Sequence, residues 1–419
     1  MKILVLFRNV AEKRKTMDDH LYSFKRYVEG VEFYYCEFFI KLPSFLKLIK
    51  WDGIILHYTL LASRWDKEIW QLPVDNLAAI GELSGFKVAM PQDEYAEVTE
   101  LQRLFKRCKI DTVFTCLYPI DYDKIYPLDK TGLKYRFTTY TGFVDEATQS
   151  IIQKLSAEIE TRDIDIGYRA RNVPYWLGGH GQIKRLIAIQ TLKAPNEHQL
   201  KLDISIDPKD VFYGDNWVRF LLRSRCVLGC LGGASLYDPD GTIRKKVDAY
   251  LQMNPDATFE ETEAKCFQGK DYSLSLFALS PRHFECAMTK TCQILIEGDY
   301  QGIFIPGRHY IELKKDFSNL KQVFEKASDA KYCEEIAENA YREIAMSEKY
   351  TYKAFANTVV DHIKESSNKP KNGFARVLIC RLLLNFHTQM APLRLFFFRA
   401  RRKYLLVIKP KMRKYGRRA

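Results

Sequence analysis

Residues 279–302 read LSPRHFECAMTKTCQILIEGDYQG. Ser280 is a good N-cap, and Pro281 at the first helical position pre-sets the backbone angle. Small and apolar residues follow, then a short apolar run with the length of a buried strand, then an acidic loop. A helix that begins at Pro281 points free backbone N–H groups and a positive dipole end outward. With Arg282 and His283 beside it, that end is a seat for a diphosphate. Glu285 lies about one turn further in, where a carboxylate can accept the two hydroxyls of a ribose. The same residues have a structural explanation: a Glu in the first turn complements the dipole, and Arg282 can be its ion-pair partner. Physics alone leaves the two explanations even.

Working outward, both sides of this stretch alternate strands and helices. "KILVLF" is a continuous apolar run, as expected of a strand buried on both faces. "VEFYYCEFF", "WDGIILHYTL", "GFKVAMPQ" and "DTVFTCLYP" follow, separated by helical segments at 15–29, 64–84 and 96–107. "RFTTYTGFVD" is one more strand candidate, and 145–160 a helix leading out. A second series begins at "IDIGYRAR" and continues through "GQIKRLIAIQTL", "LKLDISID", "NWVRFLLRSR", "CVLGCLGGAS" and "DGTIRKKVDAYLQM". After the opening stretch come "IFIPGRHYIEL", helices at about 316–327, 330–347 and 350–366, and the linker "SSNKPKNG". The fold class is α/β: two Rossmann-like doubly wound domains facing a central cleft, with a C-terminal helical basic tail. The expected boundaries are 1–158 for the first domain, 159–348 for the second, 349–368 for a helix returning to the first domain, and 369–419 for the tail. In such sheets ligands bind outside the carboxyl ends of the strands.

At 419 residues the chain is too long for one ordinary core. Its net charge of +13 is uneven: residues 373–419 carry 13 of the 65 Lys and Arg and no Asp or Glu. The rest of the chain is neutral, which argues against a nucleic-acid-binding body. "MKILVLFRN" lacks a cleavage site and reads as a strand, not a secretory signal. The ten cysteines form no CxxC pair or zinc pattern, so buried free thiols in a reducing cytosol are expected.

"SPRHFECAMTKTCQILIEGDYQGIFIPGRHYIEL" resembles the C-terminal nucleotide-sugar site of GT-B glycosyltransferases, nearest to their CgeB-like "glycosyl transferases group 1" branch. "IDIGYRARNVPYWLGGHGQIK" and "LGGASLYDPDG" resemble further stretches of that group. In the wider retaining group, two glutamates eight positions apart flank this helix and the second binds the ribose. Glu285 matches the second; Phe277 occupies the position of the first. The resemblance implies that Ser280, Arg282, His283 and Glu285 hold the donor. It also implies that Arg169, Arg171 and Lys184 contact phosphate, stabilising the departing oxygen. "LGGAS", with Gly233 and Ser235, either brings backbone close to the nucleotide or is a plain tight turn.

On the acceptor side, "KVAMPQDEY" ends a strand, so Asp93 or Glu94 is a candidate general base or holder of acceptor hydroxyls. The alternative is an acidic cap on "AEVTELQRLF". His57, at another strand end, is a further catalytic candidate or else a satisfied core histidine. Asp121/Asp123, Asp163/Asp165 and Asp238/Asp240 form D-x-D triplets, which arise easily as turns. A helix N-terminus and cations suffice for a diphosphate, so no metal and no cofactor are expected.

The tail is apolar and cationic together. Phe374, Val377, Leu378 and Arg381 mark one helical stripe, and charges interrupt every apolar run well short of the ~20 residues a span needs. This resembles an interfacial segment with an anionic membrane surface as partner through 373–419. The implied protein is a cytoplasmic glycosyltransferase, peripheral on the inner membrane face, with a nucleotide-sugar and a glycan or lipid-linked acceptor as substrates and no nucleic-acid partner. An epimerase or hydrolase on the same fold, or a degenerate sugar-binding scaffold, are the alternatives.

Overall fold

The structure, a computed structural model, describes residues 1–9, 15–39, 41–65 and 77–403. The first half builds a six-stranded sheet from β1 (Lys2–Phe7), β2 (Glu32–Glu37), β3 (Gly53–Leu56), β4 (Phe86–Ala89), β5 (Thr112–Thr115) and β6 (Tyr135–Thr138). Its order is β2-β1-β3-β4-β5-β6, and every neighbouring pair is parallel. The second half builds a five-stranded sheet from β7 (Ile164–Arg169), β8 (Leu202–Ser205), β9 (Ser224–Gly229), β12 (Cys292–Ile296) and β13 (Ile311–Leu313). Its order is β13-β12-β9-β7-β8, also fully parallel. The central strands are largely apolar because helices cover both faces; residues 3–6, 54–56 and 294 are completely buried.

Two expectations need correction here. "LGGAS" is not a bare turn: Gly232–Ala234 forms β10, antiparallel to β11 (Leu276–Ala278). The single helix expected over 64–84 begins and ends in short 3-10 turns, Ala62–Trp65 and Ala78–Glu82. Its middle lies outside the described residues.

The chain crosses between the two sheets twice, and the crossings pair. The Val144 amide donates to the Tyr350 carbonyl (2.8 Å), and the Tyr352 amide donates to the Val144 carbonyl (3.0 Å). After the second crossing the helix Tyr352–Ser366 returns to the first sheet. Val359, Val360 and Ile363 are fully buried there with Ile3, Val5, Ile55 and Val88. This is the GT-B arrangement, with a C-terminal helix packed on the N-terminal half.

The return is tight at one point. A Cβ on Gly53 would stand 2.5 Å from Cγ2 of Ile363, so β3 admits the helix only because residue 53 has no side chain. Gly53→Ala is expected to destabilise the protein by about 1–3 kcal/mol through overpacking. Ile363→Ala, which removes Cγ2, should cost less in the Gly53→Ala background than it does alone, in a double-mutant cycle measured by urea denaturation. Strictly additive effects would show that the contact is not the cause.

Candidate functional site

In each sheet the chain's progression reverses beside the first strand: between β1 and β3, and between β7 and β9. The carboxyl ends of strands at such a switch point leave a crevice. A cleft of about 650 Å³ lies at the crevice of the second sheet. Its second-domain wall includes Arg169, Ala170 and Arg171 after β7, Cys230 after β9, Gly232 of β10, Lys184, and Ser280, Pro281, Arg282 and Glu285.

The helix Pro281–Met288 opens into this cleft, with Pro281 at its first position. Ser280 adopts extended backbone angles but makes no side-chain cap; its carbonyl instead accepts from the His283 amide at 3.1 Å. Arg282 is held in place. Its Nη2 donates to the Arg169 carbonyl at 2.6 Å, and its guanidinium lies over the rings of Trp217 (5.2 Å) and Tyr168 (5.7 Å). The Glu285 carboxylate accepts from the Trp217 indole N–H at 2.8 Å. Burial raises the Glu285 pKa, opposed by Trp217, Arg282 and Lys15. Trp217 sits in the first turns of the helix Asp215–Arg223, after the cleft-lining Phe212, Tyr213 and Gly214. Arg171 donates to the Tyr213 hydroxyl. Arg282, Arg171 and Lys184 thus line one wall with Glu285.

Arg169 lines the cleft but is committed elsewhere. It donates to the carbonyls of Tyr168, Asp203 and Asp210, pairs with the Asp203 carboxylate at 2.7 Å, and stacks against Phe212 and Phe220. At 9% exposure its role is to fix the end of β7, which corrects the expectation of a phosphate ligand.

The first-domain wall comes from the helix Lys15–Tyr27 and the first crossing. Lys15 pairs with Asp19 at 2.6 Å and donates to the Thr148 hydroxyl at 2.9 Å. Arg26 bridges Asp19 (3.3 Å) and Asp145 (3.1 Å). Tyr27 donates to Asp145, and burial together with that carboxylate pushes its phenol up to about 12. The field of Lys15 and Asp19 reaches Glu285 across the gap. These acids and Trp217 carry no motif; the one local signal is the i,i+4 Lys15–Asp19 spacing.

Several expected residues are not part of the cleft. His283 is fully buried, with its Nδ1 3.1 Å from Gln293 Oε1 and its ring against Tyr300 and Phe304. Ser235 is fully buried and caps the helix Gly178–Lys193, accepting from the His180 amide at 3.0 Å. Gly233 has φ +95° and would clash with the Leu276 carbonyl if it carried a Cβ, so it serves strand pairing. Asp93 and Glu94 fall outside the cleft for different reasons, beside a seam where residues 95–97 meet the second domain. The Asp238 amide donates to the Tyr95 carbonyl (2.8 Å), and the Glu97 amide to the Asp238 carbonyl (3.0 Å). Asp93 is exposed outside the cleft lining. Glu94 is buried, accepting from Thr115, from the Cys116 amide (3.0 Å) and from Tyr126 (3.0 Å); burial pushes its carboxyl up to about 7. His57 is also fully buried, 2.9 Å from His20 Nδ1 and 2.9 Å from the Thr59 hydroxyl, and desolvation keeps it neutral.

Among the described residues one group has metal-ligand geometry: the thiols of Cys226, Cys292 and Cys333, within 4.8 Å of one another. All three are buried between β9, β12 and the helix Ala330–Ala340, inside the second core. The D-x-D carboxylates serve locally: Asp163 and Asp165 pair with Arg223 and Arg225, and Asp238 accepts from the amides of Ile243 and Arg244.

No family model matches the chain, and no curated protein matches it. Solved structures do. An α-glucosyltransferase in complex with UDP and a 13-mer DNA containing an HMU base aligns with a TM-score of 0.52 at 11% identity, over 87% of this chain and 99% of that one. Anabaena HepE in complex with UDP aligns with a TM-score of 0.48 at 11% identity, over 87% of this chain and 100% of that one. The likeness to the α-glucosyltransferase is one of fold: two Rossmann-like halves across a cleft.

Proposed function

We propose that the chain is a glycosyltransferase that moves a sugar from a nucleotide-sugar donor to a glycan or lipid-linked acceptor, in cell-surface polysaccharide or glycoconjugate synthesis. The observation that carries this reading is the pairing of Glu285 with Trp217 at the mouth of the Ser280–Pro281 helix, beside three cations. Glu285, aimed by the indole N–H, takes the ribose hydroxyls. Arg282, Arg171, Lys184 and the helix N-terminus take the diphosphate. As the sugar–phosphate bond breaks, negative charge grows on the departing oxygen, and fixed cations and N–H groups stabilise it without reorganising. They supply that stabilisation without a metal. Asp19, paired with Lys15 on the opposite wall, holds an acceptor hydroxyl. Closure about the paired crossings excludes water and limits donor hydrolysis. The α-glucosyltransferase of similar fold was solved with UDP, which makes a uridine donor the first to try.

In this proposal the protein works on the cytoplasmic face of an anionic membrane. The helix Phe374–Gln389 packs on the first domain through Cys380 and Leu384, and Arg381 bonds Glu32 and Tyr34. Its outer face exposes Phe374 (82%), Leu382 (61%) and Phe386 (62%), and the next helix exposes Phe396 and Phe397. Among the described residues no helix is long and apolar enough to cross a membrane. An apolar face beside basic residues suits an interface, where each Lys or Arg contributes about 1 kcal/mol. Residues 404–419, which hold much of the tail's charge, lie outside the described residues.

One observation favours a second reading, a donor-binding scaffold without turnover: Phe277 stands where the resemblance puts the first glutamate.

A thermal-shift screen with UDP-, GDP-, ADP- and dTDP-sugars should show stabilisation by at least one. Glu285→Ala should abolish the shift, and Trp217→Phe should weaken binding about tenfold by removing one hydrogen bond to a charged group. No shift with any donor rejects the transferase and the scaffold together; a shift without sugar release or transfer selects the scaffold. Separately, Leu382→Asp with Phe386→Asp should abolish co-sedimentation with phosphatidylserine vesicles while leaving the donor shift intact. Unchanged co-sedimentation rejects the membrane surface as partner.

A further inference from the structure

A second cavity of about 300 Å³ adjoins the cleft, and Cys230 lines both. Its walls come from both halves of the molecule: Tyr118 and Asp121 after β5, and His180, Phe277, Glu297 and Asp299 from the second domain. Its floor is aromatic. The His180 ring stacks on Phe277 with centroids 4.0 Å apart and planes 28° apart. His180 Nε2 lies 3.0 Å from the Leu231 carbonyl, and burial lowers its pKa to about 4, so the ring is neutral at physiological pH. The rim is acidic. Asp121, Glu297 and Asp299 face the cavity with Lys315 as the lining cation.

The loop that carries two of these acids is held in a costly shape. Tyr300, Gln301 and Gly302 follow one another at φ +44°, +54° and +67°. Left-handed backbone at non-glycine residues costs of order 1 kcal/mol each and persists where the surroundings impose it. Here the Glu297 carboxylate accepts from the Lys315 amide at 3.0 Å, and Asp299 lies beside the Tyr118 hydroxyl of the first domain, raising that phenol's pKa. The exposed Asp299 side chain is thereby set at the seam between the domains.

We propose that this cavity receives the hexose ring of the donor, with Asp299 and Glu297 accepting its hydroxyls and the His180–Phe277 stack as its floor. The proposal rests on the nucleotide-sugar reading of the larger cleft. Three observations carry it. The two cavities differ in charge balance: five cations stand against three carboxylates in the larger one, where a diphosphate gains, and three carboxylates against Lys315 in the smaller one, where a hydroxylated neutral ring is held. An apolar floor with a few convergent polar groups suits a small ring with one C–H face, and the volume lies at the low end of ligand pockets. Phe277 offers no acceptor for a hydroxyl, so acids that recognise the sugar must come from elsewhere; the loop after β12 supplies them. The pocket therefore selects neutral hexoses and disfavours sugars bearing a carboxylate.

The test is calorimetric titration of the full-length protein with UDP, GDP, ADP and dTDP, and with their glucose, galactose and N-acetylglucosamine conjugates. At least one conjugate should bind more tightly than its parent nucleoside diphosphate. Asp299→Asn and Glu297→Gln should each cut that gain about tenfold and leave the parent's affinity unchanged. Equal losses for parent and conjugate, no change in either variant, or no gain from any sugar would each overturn the proposal while leaving the nucleotide site standing. Absence of binding by all four parents would remove the donor reading, and this inference with it.

Discussion

The contact of Pro281 with Gly142 is the constraint on which the site depends. A Cβ on Gly142 would stand 2.7 Å from three atoms of Pro281, so the first crossing between domains runs directly against the start of the donor-side helix. The Thr141 hydroxyl donates to the Leu279 carbonyl one step before the helix begins. Two residues further on, Val144 exchanges backbone hydrogen bonds with the second crossing. The hinge and the helix mouth are therefore one piece of structure. If the domains close as the proposed function has it, they turn about the point where the diphosphate would sit.

Around that pivot the arginines divide their work by what surrounds them. Arg169 is enclosed by three carbonyls, one carboxylate and two aromatic rings, and a buried guanidinium so satisfied has little left for a ligand. Its own carbonyl, fixed by that enclosure, accepts from Arg282. Arg282 is thus positioned by a bond to neutral backbone, which spends one of its five donors, while its field favours the charged form of Glu285. A cation held in this way keeps its attraction for an anion and gives up little side-chain entropy when the anion arrives.

The same logic explains how much could be read from sequence. β1 and β3 are nearly continuous apolar runs, and β4, β5 and β12 mix apolar residues with buried polar ones such as Lys87 and Gln293, as strands covered on both faces tend to do. The Ser280–Pro281 step marked the helix start because proline's restrictions are local. Glu285 and Arg282 were even on local physics, and the resemblance singled them out together with Arg171 and Lys184; all four line the cleft. Asp93 and Glu94 lie just past a strand end, yet Asp93 is exposed outside the cleft lining and Glu94 is buried on Thr115, Cys116 and Tyr126, and nothing near position 93 records that. His57 and His283 also follow strand ends or helix starts, but each turns inward. Trp217 was missed because a tryptophan in an amphipathic helix is usually core; only the fold brings its N–H to Glu285.

Chain geometry ties the two cavities together. Phe277 belongs to β11 and faces the small cavity; Ser280, three residues on, lines the large one. Extended chain rises about 3.3 Å per residue, so this segment is a covalent ruler of roughly 10 Å between the aromatic floor and the helix mouth. β10 pairs with it residue for residue and has no freedom to shift, because Gly233 already touches the Leu276 carbonyl. A ligand that spans both cavities must match that ruler, with its anionic part at one end and its hydroxylated part at the other. In the proposed reading, Phe277, at the position where the resemblance expects a glutamate, exchanges one mode of grip for another. A carboxylate at that end of the ruler would bind hydroxyls; a ring stacked on His180 binds a face, and the hydroxyl contacts move to the loop after β12.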